Sequence, residues 1–154
     1  MTSQPEAHQC PIQKALSIFG DRWSLLVVRD VLQGIKQFDQ LQSSLGISRN
    51  LLTMRLKDLE EAGLIARTPI KPNAKRMVYT PTQRCVDLLP SMIAIGNWVA
   101  KWEKSTDGGW SKGIDIETGQ TVEVRLTNAD GEVVPVERLR ASYDLSRAPS
   151  DVQS

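Results

Sequence analysis

The chain has 154 residues, 40% hydrophobic and 24% charged, with one histidine and two cysteines, a composition suited to one domain with appendages. Its net charge of +1 hides an asymmetry: residues 1–104 carry 14 Lys and Arg against 9 Asp and Glu, whereas residues 105–154 carry 5 against 9. No apolar run approaches the ~18 residues of a membrane span, Met1–His8 lacks the hydrophobic core of a signal peptide, and two cysteines are too few for a disulfide framework, so a cytoplasmic protein with no membrane partner is expected.

Residues 1–9 are polar and expected to be flexible. Cys10-Pro11 opens a first helix, with Pro11 suited to its first turn. Ala15, Leu16, Ile18 and Phe19 form its apolar stripe, and Gly20 stops it. Asp21 can cap a second helix, Arg22 to Leu32, which is apolar nearly all round and predicts a buried central rod ending at Gly34. Phe38, Leu41 and Leu45 mark a short third helix, and Gly46 is the turn that follows. Ser48 is a natural N-cap for a fourth helix running to Ala62. In it Leu52, Leu56 and Leu59 share one face and predict a core. Gly63 ends that helix.

Two strands are expected next, Leu64–Thr68 and Met77–Thr80, joined by a basic loop Pro69–Arg76. Residues 49–76 hold seven basic against three acidic residues, a local cationic window on a near-neutral chain. Helix, glycine turn, helix and basic hairpin form the pattern of a winged helix-turn-helix that binds duplex DNA. Pro81 is expected to break the strand and Thr82 to start a helical region running to about residue 104. There Leu88, Met92, Ile95, Val99 and Trp102 fall at heptad-like spacing, flanked by Leu89, Ile93, Gly96 and Trp98. A helix so apolar suits dimerisation; packing back on its own domain is the alternative. Residues 105–113 read as a linker, and 105–143 as linker plus a β-hairpin, with Thr121–Thr127 and Glu132–Val136 joined by the Asn128–Gly131 turn. The tail 144–154 is expected to be disordered. The fold class is α+β, mainly α: a winged helix-turn-helix domain (10–104) with a C-terminal dimerisation helix and an appended β-hairpin.

The chain resembles the HxlR-type family of bacterial winged-helix transcription regulators. The resemblance rests on Cys10-Pro11-Ile12, Gly20-Asp21-Arg22-Trp23-Ser24-Leu25-Leu26, Phe38-Asp39-Gln40-Leu41 and Gly46-Ile47-Ser48. It continues through the run from Leu52 to Ile65 and Tyr79-Thr80-Pro81-Thr82. These blocks keep the family's order and spacing over about residues 10–104. The resemblance implies a homodimer that binds operator DNA, usually as a repressor, sometimes as an activator. In some members a cysteine before the first helix senses electrophiles or oxidants, and Cys10 stands at that position here.

For DNA, the helix end at Ser48 offers amides to a phosphate, and Arg49, Asn50, Thr53 and Lys57 are the groove candidates. Arg55 is a further candidate, for a phosphate or for an internal acid. Lys71, Lys75 and Arg76 are expected on the DNA backbone. Cys10 is a redox-sensing candidate by virtue of its place at a helix N-terminus near Lys14, with Arg22 a second cation that folding could bring close; a structural thiol is the alternative, and Cys85 reads as structural. His8 and Cys10 alone make no zinc site, and no cofactor is expected. One histidine, no G-x-S-x-G, no phosphate-cradling glycine loop and no dense carboxylate cluster argue against an enzyme. A winged helix used only for protein contact, or a regulator with a small molecule bound near Trp98 and Trp102, remain as alternatives; the effector is unknown.

Overall fold

The computed structural model describes residues 10–103 and 112–139. The expected flexible N-terminus, most of the linker and the tail lie outside those residues. The chain divides into two compact units, residues 1–89 and 90–154.

In the first unit, α1 (Pro11–Phe19), α2 (Ser24–Leu32), α3 (Phe38–Leu45) and α4 (Arg49–Glu61) lead into strands β1 (Ile65–Pro69) and β2 (Met77–Pro81) and a one-turn helix α5 (Gln83–Val86). The rod expected from the all-round apolar second helix is α2, which touches α1, α3, α4, α5 and β2. Its Val27, Val28 and Val31 meet Leu41 of α3 and the leucines of α4 in a core sealed by Ile65, Val78 and Cys85. Leu52, Leu56 and Leu59 are at most 2% exposed, each contributing about 1.5–3 kcal/mol by burial. The second helix starts at Ser24 rather than Arg22, because the Asp21 carboxylate accepts from the amides of Trp23 (2.8 Å) and Ser24 (3.1 Å) and folds the residues between into a turn.

The helix-turn-helix turns on Gly46, held at φ +63, the left-handed region that favours glycine. Ser48 caps α4 by accepting from the Leu51 amide at 3.3 Å. At the other end Gly63 N–H donates to Glu60 and Leu64 N–H to Leu59, a Schellman closure around φ +70 at Gly63. The wing pairs antiparallel, with Arg67 opposite Tyr79 and Ile65 opposite Pro81. Pro69 and Pro81, expected in the loop and as a breaker, are taken into the strand ends, where a missing N–H is tolerated. The Thr82 hydroxyl donates to the Gly63 carbonyl at 2.7 Å and fastens the end of the wing to the end of α4.

The continuous helix expected from Thr82 is interrupted. α5 ends at Val86, residues 87–88 form a turn, and α6 runs Leu89–Trp102. Pro90 accounts for the break: in a continuous helix it could not donate to the Val86 carbonyl and its ring would crowd it, whereas in the first turn of α6 it costs nothing. Leu88 therefore sits in the turn and not on the helical seam. Within the second unit Ile93 is buried, while Ile95, Trp98 and Trp102 are 53–70% exposed.

The appended hairpin departs from expectation in its pairing. Thr121–Val122 (β4) pairs with Gly113–Ile114 (β3), not with the residues after the Asn128–Gly131 turn. That turn does form, closed by a Thr127–Val133 bridge and a 2.8 Å bond from the Val134 amide to Leu126. Pro135 cannot donate to a ladder, which stops the pairing just beyond the bridge. The nearer turn wins the rest: Asp115 accepts from the Glu117 amide (2.9 Å) and the Thr118 hydroxyl (2.7 Å), with Gly119 at φ +71. A side chain at Gly113 would come within 2.6 Å of Val122 and 2.9 Å of Ile93, so glycine permits the ribbon to close on α6. The last described element is a 3-10 turn, Val136–Arg138.

Candidate nucleic-acid interface

With Leu52, Leu56 and Leu59 in the core, α4 turns Arg49, Asn50, Thr53, Met54 and Lys57 outward. Asn50, Thr53 and Lys57 lie at spacings of three and four, one above another on one face. Thr53 returns its hydroxyl proton to the Arg49 carbonyl at 2.8 Å, which leaves its oxygen lone pairs and methyl outward. Lys57 is 3.7 Å from Glu61, with both side chains about two-thirds or more exposed, a surface pair too weak to withhold the ammonium from another anion. Arg49 forms an equally exposed pair, 3.5 Å from Asp39, and adds a contact of its guanidinium 4.7 Å over the Phe38 ring.

Arg55 is not on this face. It reaches inward to Asp21 and Asp58, 3.2 Å from each, with its side chain 22% exposed. Of the two expectations for Arg55 the geometry gives the internal acid, and it leaves the DNA-contact set because both carboxylates hold it. Burial by itself pushes the Asp21 carboxyl up; the Ser24 hydroxyl, the amides of Trp23 and Ser24 and the Arg55 guanidinium outweigh that and hold it below its ordinary value. The Arg55–Asp21 link pins α4 to the start of α2.

In the wing, Lys71, Lys75 and Arg76 are exposed. The loop is kept tight by the Ile70 amide bonded to Arg76 and the Ala74 amide bonded to Lys71, with Asn73 at φ +63. Arg76 donates to the Gln37 side chain at the N-cap of α3, tying the wing to the helix-turn-helix. Arg67 is not among the residues that the sequence pattern singles out. It faces out of β1 and lines a cleft with Arg49, Lys75 and Arg76. Its partner across the ribbon is Tyr79, a pairing set by a loop register that residue types do not reveal.

Cys10 occupies the N-cap position of α1, half-buried, its carbonyl accepting from the Lys14 amide at 2.9 Å. Arg22 stacks on Trp23 at 5.1 Å. Cys85 is fully buried, and burial pushes its thiol up. Among the described residues no group of three or more His, Cys, Asp or Glu could hold a metal ion, and no helix is long and apolar enough to cross a membrane.

Comparison with known proteins agrees with this geometry. The HTH-type transcriptional regulator Mb3122 of Mycobacterium bovis, itself uncharacterised, is 36% identical over 115 residues, covering 75% of this chain and 73% of its own. The crystal structure of PA1607, a candidate transcription factor, superposes with a TM-score of 0.75 at 30% identity over 89% of this chain and 96% of that one. The reduced form of the Bacillus subtilis transcriptional regulator YodB matches with a TM-score of 0.55 at 26% identity, covering 64% of this chain and 99% of that one. The HxlR-like helix-turn-helix family model matches residues 18–107, the span from α1 through α6, and with relatives this similar the chain belongs to that family of helix-turn-helix transcriptional regulators.

Proposed function

We propose that this regulator is a cytoplasmic homodimer that binds a duplex operator and represses transcription from it. The observation that carries the reading is the outward face of α4. Leu52, Leu56 and Leu59 are committed to the core, and the N-terminal half of the outward face presents Arg49, Asn50, Thr53 and Met54, with Lys57 one turn on, beside a basic wing. Asn50 has the chemistry to bond adenine bidentately, and such a contact discriminates by about 1–3 kcal/mol. The amides of the Ser48-capped first turn face a phosphate, and Lys71, Lys75 and Arg76 hold the flanking backbone, supplying affinity rather than sequence choice. Residues 10–104 are the operator-binding and dimerising part, with residues 105–143 an appendage.

Two features support the dimer. α1 leaves Ile12 and Leu16 more than half exposed, and α6 does the same with Ile95, Trp98 and Trp102. Amphipathic surfaces of this size ask for a partner, and a two-fold copy places two α4 helices on two half-sites about one helical turn apart. Met92 and Val99 extend the same seam. The half-buried Cys10 at a helix start supports a response to oxidants or electrophiles, a reading helped by YodB, whose structures include quinone-bound and diamide-treated forms.

The test is a salt titration of binding to the protein's own promoter fragment and to random DNA, with and without diamide. Preference for the promoter, lost in the Asn50→Ala, Lys57→Ala double variant, is expected. Loss of binding on oxidation, restored in Cys10→Ser, is expected for the thiol switch. Equal affinity for both DNAs, decaying together with salt, would reduce the reading to non-specific phosphate attraction.

A further inference from the structure

A cleft of about 290 Å³ opens where the start of α3, the start of α4 and the wing converge. Four cations from three elements line it: Arg49 of α4, Arg67 of β1, and Lys75 and Arg76 of the wing loop. Asp39 is its one carboxylate. Arg49 lies over the Phe38 ring and 3.5 Å from Asp39, and Arg76 is held by an uncharged group, the Gln37 amide oxygen. Neither Arg67 nor Lys75 has an ion-pair partner among the described residues.

Like charges gathered around one small space repel, and here a single acid opposes four of them. The lining is mostly polar: Phe38, Met77 and Tyr79 are its apolar part, and the excess of cations over the one acid selects an anion, for which guanidinium groups are suited donors to a tetrahedral oxyanion. The cleft adjoins α4 at its N-terminal end, beside the face that turns Asn50 and Thr53 outward. A strand of DNA whose bases meet that face carries its backbone past this point.

We propose that the cleft is a seat for one DNA backbone phosphate, with Arg67 its principal donor. This rests on the operator-binding reading and revises one part of it: Arg49, held by Phe38 and Asp39, serves this phosphate and not a base edge. The contact then fixes where α4 lies along the groove without contributing to base choice.

The experiment is a salt titration of DNA affinity by fluorescence anisotropy, on the promoter fragment and on random DNA. Wild type is compared with Arg67→Gln, Arg67→Lys and Asn50→Ala, each first checked for a wild-type melting profile. Arg67→Gln should weaken both DNAs by the same factor and lower the slope of log affinity against log salt by about 0.9, the value of one phosphate contact, while Arg67→Lys restores the slope. Asn50→Ala should change the promoter-to-random ratio and leave the slope alone. An unchanged slope in Arg67→Gln, or a loss confined to the promoter, overturns the phosphate seat while leaving the regulator reading in place. A slope reduction with no promoter preference in wild type keeps the seat and removes the sequence-specific reading. Inorganic phosphate at matched ionic strength provides the remaining arm: a thermal shift with phosphate but not chloride, absent in Arg67→Gln, combined with an unchanged DNA salt slope in that variant, would assign the cleft to a free anion and overturn its role as a DNA contact.

Discussion

The two units of this chain are built by different rules. Among the described residues, twelve of the thirteen buried hydrophobic side chains lie in the winged-helix unit, and the thirteenth, Ile93, belongs to the second. Past α6, the second unit exposes Ile114, Ile116, Leu126, Val133 and Val136 at 51–98%. Its order comes from turns instead: carboxylate and amide side chains at Asp115 and Asn128 accept from backbone N–H groups two to four residues ahead. The first unit is a core with surface chemistry attached; the extension is a string of local hydrogen bonds with almost no core.

That contrast gives the largest expected effect. Leu52→Ala removes a fully buried side chain and should cost about 2–5 kcal/mol of unfolding free energy. Leu126→Ala, at 55% exposure, should change stability by less than about 0.5 kcal/mol. Urea denaturation of both variants measures the difference. A Leu126→Ala cost rivalling that of Leu52→Ala would mean the extension has a packing surface of its own, and the comparison would collapse.

The same split explains how much could be read from residues alone. In the first unit, leucine spacing at 52, 56 and 59, glycines at 46 and 63 and the Ser48 cap each speak within one turn of chain, and each specified its element. The outward face of α4 followed by subtraction. Arg55 and Arg67 were harder because their roles are tertiary. Arg55 lies at the margin of α4, and its direction depends on Asp21, 34 positions earlier. Arg67 lines its cleft through a strand register that the loop sets. The break at Pro90 was available in the sequence, but the heptad-like spacing of Leu88 and Met92 runs across it, and the covalent restriction on proline prevails over the hydrophobic pattern. In the extension, two turns compete for one strand, and periodicity of two cannot tell which neighbour Thr121 will take.

The Asp21 cluster is the next most sensitive point. Asp21→Ala removes the acceptor for two amides and one partner of Arg55, and should cost about 1–2 kcal/mol at neutral pH. The sign of its pH dependence follows from a folded-state value held below the ordinary 3.8. Such a carboxylate contributes stability that is present above the unfolded value and is lost as pH falls through the folded one. Wild type and variant should therefore differ at pH 7 and converge below about pH 4. Urea midpoints at the two pH values check it, and a gap that widens in acid would contradict the arrangement. Asp115 in the extension is also held low, by the Thr118 hydroxyl and the Glu117 amide, but it stands in open solvent. Asp115→Ala should loosen its own turn and leave the global unfolding transition where it was.

The thiols sharpen the comparison within the first unit, in kinetics rather than in stability. Cys85 is buried and burial pushes its thiol up, so it is both inaccessible and protonated at neutral pH. Cys10 is half-buried at the edge of α1. Iodoacetamide followed by peptide mass analysis should modify Cys10 in the native protein, and Cys85 only at a rate that rises with denaturant, since its exposure requires opening of the core. Equal labelling of both in native buffer would show that α5 opens freely and that its packing is weaker than its burial suggests.

The smallest effect sets two arginines against each other. Arg125 bonds Glu123 through Nε at 3.0 Å and a terminal nitrogen at 2.7 Å, a closer pairing than the 3.2 Å contacts of Arg55. On distance alone Arg125 would be the more valuable. Its side chain is 62% exposed and that of Glu123 is 66%, so water competes for every bond and both chains lose rotamer freedom to stay together. Arg55 is 22% exposed, faces two carboxylates, and joins α4 to the turn before α2. Arg125→Ala should therefore move the unfolding free energy by less than about 0.5 kcal/mol, with 0.5 M NaCl erasing the remainder. Arg55→Ala leaves Asp21 and Asp58 facing each other without their cation and should cost about 1–3 kcal/mol. Reversal of that order, measured side by side in urea, would mean that the extension's surface chemistry is coupled to a structure that its own residues do not provide.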